Sequence, residues 1–273
     1  MAKQLKIVFF GDIVGKLGRR AVCDCLGELR ADTQDNAPDF AIANVENASH
    51  GFGLTEKNYN ELSNAGFDCF TSGNHIWDKK EIFQYIEKAD KLVRPINYPK
   101  KTQGAGSRIF EVGEDKIAVI NVLGRVFMSP CDSPWEVVKK EVKKLKKITP
   151  NVIIDFHAEA TAEKICFARF CSELGVTALL GTHTHVQTAD EKIINNMAYI
   201  SDAGFCGVAE SVIGMDYKTS LKRLSTGLPE RFDIPESKII QINAVEFLID
   251  AETGNALDIK RFCLEKNYQE VKK

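Results

Sequence analysis

Apolar positions along the chain fall into short runs that stop at a polar cluster and give way to stretches with helical spacing. Residues 5–10 (LKIVFF) read as a buried strand ending at Gly11-Asp12, and residues 15–33 then place Val22, Leu26 and Leu29 on one helix face. The unit recurs twice. Residues 40–45 run into Glu46-Asn47, a glycine-rich loop and a helix over about residues 55–65. Residues 67–72 run into Gly73-Asn74-His75 and a helix over about residues 79–88. Strand, loop and helix in alternation predict parallel strands joined by crossover helices.

The pattern then changes. A proline-punctuated connection at Arg94-Pro95 leads to residues 107–112 and 116–123, which read as an antiparallel hairpin about Gly113-Glu114. Residues 134–148 form a lysine-rich helix whose stripe of Val138, Val142 and Leu145 faces a core while the lysines face water. A strand ending at His157, a helix over residues 160–174 and a strand over residues 176–180 follow, the last running into Gly181-Thr182-His183-Thr184-His185. Asn195-Asn196 joins a second hairpin, and residues 238–249 and 256–262 close the chain as two long strands. Residues 203–235 lack sustained periodicity, and a loop of that length predicts a lid or a subunit contact, the latter implying a homo-oligomer.

A length of 273 residues suits one large α/β domain spanning 1–273, and 44% hydrophobic with 27% charged residues is ordinary for a globular core. The net charge of −2 provides no basic footprint for nucleic acid, so an anionic substrate needs a local cation. Eight cysteines show no Cys-x-x-Cys pair, which points to a reduced, cytoplasmic setting. The apolar run at residues 5–10 is too short for a signal peptide or membrane span.

Five apolar runs end in side chains able to bind metal: Asp12; Glu46 and Asn47; Asn74 and His75; His157; His183 and His185. Ligands collect at the carboxyl ends of strands in α/β sheets, so these residues are expected to converge. His183 and His185, two apart in extended chain, face the same way. Imidazole, carboxylate and carboxamide without thiolate suit Fe, Mn, Zn or Co. The set is too large for one tetrahedral ion and fits two sharing a carboxylate. Such a pair attracts phosphate and acidifies water between the ions.

These residues resemble the signature of the calcineurin-like metallophosphoesterases, through Gly73-Asn74-His75, the isolated His157 and the stretch at residues 181–185. Gly11-Asp12, Glu46-Asn47, Arg94-Pro95, residues 155–159 and residues 211–215 are more narrowly similar to a YmdB-like bacterial branch whose members hydrolyse phosphodiesters, 2′,3′-cyclic nucleotides among them. The resemblance implies a four-layer α/β/β/α sandwich. It also implies that Asp12, Glu46, Asn47 and His185 hold one ion and Glu46, Asn74, His157 and His183 the other, with Glu46 bridging. His75 would face the phosphate as catalytic acid. Two positions depart from the superfamily pattern: Val14 stands where a histidine is usual, and Glu46 where an aspartate usually bridges. His50, in the loop after Asn47, has no assigned role.

The expected function is therefore a dinuclear phosphodiesterase acting on a small diester by attack of hydroxide held at the metals, with iron or manganese favoured and no membrane partner. A phosphomonoesterase with the same centre, or a regulatory protein binding nucleotide or RNA without turnover, are the competing readings.

Overall fold

The computed structural model describes residues 3–32, 37–231 and 233–268. The first half contains β1 (Gln4–Phe10), β2 (Asp12–Ile13), α1 (Gly15–Ala31), β3 (Phe40–Asn44), α2 (Glu56–Asn64), β4 (Cys69–Thr71), a 3₁₀ turn over Asn74–Trp77, and α3 (Ile82–Tyr85). The second sheet's elements follow as β5 (Ser107–Val112), β6 (Asp115–Leu123), α4 (Pro134–Leu145), β7 (Asn151–His157), α5 (Thr161–Glu173), β8 (Ala178–Thr182), β9 (Lys192–Ile194) and β10 (Met197–Ile200). The chain then returns through β11 (Phe205–Val208), α6 (Tyr217–Thr226), β12 (Ile239–Asp250) and β13 (Ala256–Asn267).

Strands with both faces covered carry continuous apolar runs, and β1 shows how the two faces are used. Its Leu5, Ile7 and Phe9 point one way, meeting Ile117, Ile153 and Leu180 of the second sheet. Its Val8 and Phe10 point the other way, onto Val22 and Leu26 of α1 and Leu62 of α2. The second sheet repeats the arrangement, with Ile154 and Phe156 of β7 against Val142 of α4 and Phe167 of α5. Helices, sheet, sheet and helices thus form the expected four-layer sandwich. Each fully buried Leu, Ile or Phe in these layers contributes about 1.5–3 kcal/mol.

In the first sheet β1 lies between parallel β3 and antiparallel β12, with β4 parallel beyond β3. In the second, β6, β7, β8 and β10 are all parallel, so the switch to antiparallel pairing is confined to the β5–β6 and β9–β10 hairpins. Asn195 and Asn196 take φ of 46° and 65°, the left-handed pair that a two-residue hairpin turn requires. At Gly11 the chain steps from β12 to β11: the Gly11 amide donates to the Asn243 carbonyl and the Asp12 amide to the Gly204 carbonyl. A Cβ at Gly11 would lie 2.1 Å from the Gly204 oxygen, so only glycine permits the step that aims Asp12 between the sheets.

Two expectations are corrected. The helix over residues 79–88 is a single α-turn, α3, flanked by tighter turns with Ile82 N–H bonded to the Lys79 carbonyl and Gln84 N–H to that of Glu81. Steps of three and four residues bury Ile82, Tyr85, Ile86 and Ala89 equally well, so apolar spacing does not distinguish the two windings. Residues 203–235 are not structureless, since they contain β11 and α6. β11 is a strand because it pairs with both β2 and β12, partners remote in sequence, and α6 buries only Ser220 and so leaves no apolar stripe. The end of the expected first helix at Thr33 lies outside the described residues.

Candidate metal centre

Asp12 follows β1, Glu46 and Asn47 follow β3, Asn74 and His75 follow β4, His157 ends β7, and His183 and His185 follow β8. Parallel pairing within each sheet sends these carboxyl ends to the same edge, and stacking of the sheets closes them into one cluster. His157 Nε2 lies 3.0 Å from Glu46 Oε1 and 3.0 Å from His183 Nδ1. Asn47 Nδ2 lies 3.1 Å from His185 Nε2, which is 3.9 Å from Asp12 Oδ1. The His183 amide donates to Asp12 Oδ2 at 3.2 Å, and the His75 amide to Glu46 Oε2 at 3.0 Å. Donor atoms of Glu46, His157 and His183 all fall within 4.8 Å of one another.

Whether these residues suit a cation is tested by oxygens they leave unused. Buried polar atoms are nearly always paired, yet Asp12 Oδ1, Asn47 Oδ1 and Asn74 Oδ1 are buried and have no hydrogen-bond partner among the described residues. Orphaned oxygens on Asp12 and Asn47 within the cluster, and on Asn74 between Gly73 and His75 that border Glu46, beside three imidazoles and the Glu46 carboxylate, form a donor set that a divalent ion would satisfy. Gly73 keeps the space open, because a Cβ there would lie 2.3 Å from Glu46 Oε2 and 2.4 Å from His157 Nε2.

The electrostatics agree. Burial pushes the His157 imidazolium down, but Glu46, Asp12 and Asp155 outweigh it and lift it to about 9. Burial opposes the Glu46 charge, and His157 overcomes this to hold the carboxyl well below its ordinary range. Burial pushes Asp12 well up. Burial, reinforced by the charge of His157, brings His183 down to about 3, and burial also lowers His185. Without metal the cluster keeps its positive charge on His157, while His183 and His185 are held as neutral rings, the form in which imidazole can bind a metal.

Outer contacts fix each ring. His157 Nδ1 is 2.9 Å from Thr182 Oγ1, which donates to Asp155 Oδ1 at 2.6 Å, and Asn44 Nδ2 holds the other Asp155 oxygen at 2.9 Å. His185 Nδ1 is 2.8 Å from the Ile213 carbonyl, leaving Nε2 to face Asn47. Ile213, His183 and His185 have φ of 48°, 100° and 63°, so the two histidines are not in the extended chain their spacing suggests. A conformation unusual for side-chain-bearing residues, maintained only where surrounding contacts enforce it, brings them to the cluster instead. Glu159, absent from the expected site, reaches His183 Nε2 at 3.2 Å. Val14 is buried, and Cβ atoms at Gly207 or Gly214 would touch it at 3.2 and 3.0 Å, so this position packs the turn at residues 211–215. His50 is exposed.

Sequence spacing missed a buried ion pair beneath the His183 loop. Lys164 Nζ donates to the Thr182 carbonyl at 2.8 Å and to Asp202 Oδ2 at 2.7 Å, and Asp202 also accepts the Thr184 and Gly204 amides. The signal was present: Lys164 occupies a core position of α5, in step with Phe167, Ala168 and Cys171. Lys164→Met should destabilise the metal-free protein by about 3–5 kcal/mol in urea unfolding, because Asp202 is left charged and buried. Lys164→Met/Asp202→Asn should regain part of that loss. A single variant as stable as wild type would disprove the role.

A cavity of about 560 Å³ opens over the cluster, lined by Glu46, Asn47, His183 and His185 together with His75 and Phe52. Val212, Met215, Arg223 and Leu224 line it too, so the segment at residues 203–235 borders the site. His75 Nδ1 is 2.8 Å from Asp78 Oδ2, and the Phe52 ring packs edge-on at 4.8 Å between centroids.

A family model described as YmdB-like protein matches residues 8–262. The chain belongs to that family. It is 42% identical over 265 residues, 97% of its own length and 98% of the relative's, to the 2′,3′-cyclic-nucleotide 2′-phosphodiesterase of Bacillus subtilis (strain 168). Its fold matches the crystal structure of a novel phosphatase from Mycoplasma pneumoniae with a TM-score of 0.90 at 35% identity, covering 98% of this chain and 96% of that one. A hypothetical protein from Thermus thermophilus matches with a TM-score of 0.88 at 34% identity, covering 96% of this chain and 100% of that one. The YmdB-like family is one of metallophosphoesterases, which work with divalent metal ions, and the cluster of Glu46, His157 and His183 gives this member a possible place for them.

Proposed function

We propose that the protein is a metal-dependent phosphodiesterase that hydrolyses 2′,3′-cyclic nucleotides. The observation that carries the reading is the gathering of Glu46, His157 and His183 with the unpartnered buried oxygens of Asp12 and Asn47, beneath a cavity that Glu46, Asn47 and His183 line. The likeness to the Bacillus subtilis phosphodiesterase over nearly the whole chain supports the substrate class. Two ions fit the donor set: one with Asp12, Glu46, Asn47 and His185, the other with Glu46, Asn74, His157 and His183. Hard oxygen and borderline nitrogen donors without thiolate suit iron or manganese, and accommodate zinc or cobalt. When bound, such ions supply Lewis acidity toward the phosphoryl group and make water a competent nucleophile.

The chain's own residues do the rest. Asp78 holds His75 Nδ1 and Phe52 restrains the ring, so that Nε2 is the atom left to serve the leaving oxygen. As water adds to phosphorus the P–O2′ bond breaks, the Nε2 proton passes to O2′, and the proton that the water sheds returns to Nε2, leaving a 3′-nucleotide and the ring as it began. Both sheets contribute donors, which supports treating residues 1–273 as one catalytic domain. Free cysteines fit action in the cytoplasm, and among the described residues no helix is long and apolar enough to cross a membrane.

The test is steady-state hydrolysis of bis(p-nitrophenyl) phosphate, 2′,3′-cyclic AMP and p-nitrophenyl phosphate before and after chelation. Both diesters should be cleaved faster than the monoester, activity should vanish on chelation, and manganese or iron should restore it with two ions per chain. A chelated protein that keeps its activity, or a preference for the monoester, would overturn the proposal.

A further inference from the structure

A phosphodiester is recognised by charge and hydrogen bonds, yet much of the cavity over the metal-binding cluster is apolar. Phe52, Ile213, Met215 and Leu224 line it, and Ile213 and Leu224 are 47% and 79% exposed. The loop carrying Phe52 and the turn carrying Met215 are continuous: a Cβ at Gly51 would lie 3.3 Å from Met215 Cε. Exposed apolar side chains scattered over a surface need no explanation, but a group gathered in one concave site marks a ligand. Ser220 lines the same cavity, is 4% exposed, and its hydroxyl has no hydrogen-bond partner among the described residues. At about 560 Å³ the cavity is of the size that holds a whole small molecule.

We propose that Phe52, Ile213, Met215 and Leu224 form the subsite for the nucleobase of the substrate, with the Ser220 hydroxyl as its polar handle. The inference rests on the phosphodiesterase reading and adds to it the element that binds the base, the turn at residues 211–215 with α6. The occupant is a base, rather than a second chain, because the wall shares one cavity with the donors that would bind the metals, where a base tethered through ribose to the phosphate must lie. Every base offers a flat apolar face, and a hydroxyl both donates and accepts, so the subsite accepts purines and pyrimidines alike.

The experiment compares 2′,3′-cyclic AMP and 2′,3′-cyclic CMP with glycerol 1,2-cyclic phosphate, which has the strained five-membered diester and no base. Wild type should show a KM for both nucleotides at least about tenfold below that for the glycerol ester. Met215→Ala/Leu224→Ala should raise KM for both nucleotides about tenfold, with kcat and all constants for the glycerol ester unchanged. Leu224 is on the exposed face of α6, so Leu224→Ala alone provides a variant whose folding is not at risk, and it should show the same split at smaller size. Equal KM values in wild type, or variants that lose activity on all three substrates in parallel, would overturn the base subsite while leaving the phosphodiesterase reading intact. Wild type that cleaves none of the three would overturn both.

Discussion

Replacing Glu46 with glutamine is expected to remove metal retention and turnover together. Its two oxygens serve different partners, Oε1 facing His157 and Asn47 and Oε2 accepting the His75 amide, and it is the carboxylate proposed to be shared by the two ions. Glutamine preserves the shape and one acceptor oxygen but not the charge. Loss of an outer partner of a ligand typically costs about 10–100-fold, so loss of a shared ligand should lower activity by more than about 100-fold. Metal analysis should find fewer than two ions per chain. The metal-free proteins provide a second readout. Glu46 lifts His157 above its ordinary value, and a raised imidazole stabilises the fold fully below its unfolded value and ceases to do so as pH rises through about 9. The variant should therefore be less stable than wild type near pH 6, with the gap narrowing toward pH values above about 9. Two tightly held ions in Glu46→Gln would show that the carboxylate does not bridge.

His75→Gln is expected to lower kcat by about 10²–10⁴-fold on 2′,3′-cyclic AMP, the range that general acid catalysis supplies. Ion content should stay at the wild-type value, because His75 contacts the cluster through its backbone amide, which glutamine keeps. The loss should shrink on bis(p-nitrophenyl) phosphate, whose leaving group departs without a proton. Asp78→Asn should give a smaller loss and move the pH profile, since Asp78 acts through His75 Nδ1. A His75→Gln protein that loses an ion would reassign the residue as a ligand. An equal loss on both diesters would reject the acid role.

Sequence alone determined most of the strands, where they end and the residues that stand there. The apolar run at residues 5–10 and the repeated passage from apolar run to polar end follow from local burial, because a strand covered on both faces is apolar at nearly every position. Asp12, Glu46, Asn47, Asn74, His157, His183 and His185 were legible for that reason: each stands at or just past the carboxyl end of its strand. What covers a face, and which remote group completes a hydrogen bond, leaves no local period. Tertiary structure alone decided that β11 is a strand, since its hydrogen bonds go to β2 and β12. It decided that the carbonyl of Ile213 orients His185, because a backbone acceptor is the same in every residue type. Asp155 and Lys164 were visible as polar residues among apolar ones, but their partners Thr182 and Asp202 came into reach only when strand and helix packed. The apolar turn at residues 211–215 and α6 acquired a place at the cavity in the same way, through long-range packing that brings their exposed faces beside the donor cluster.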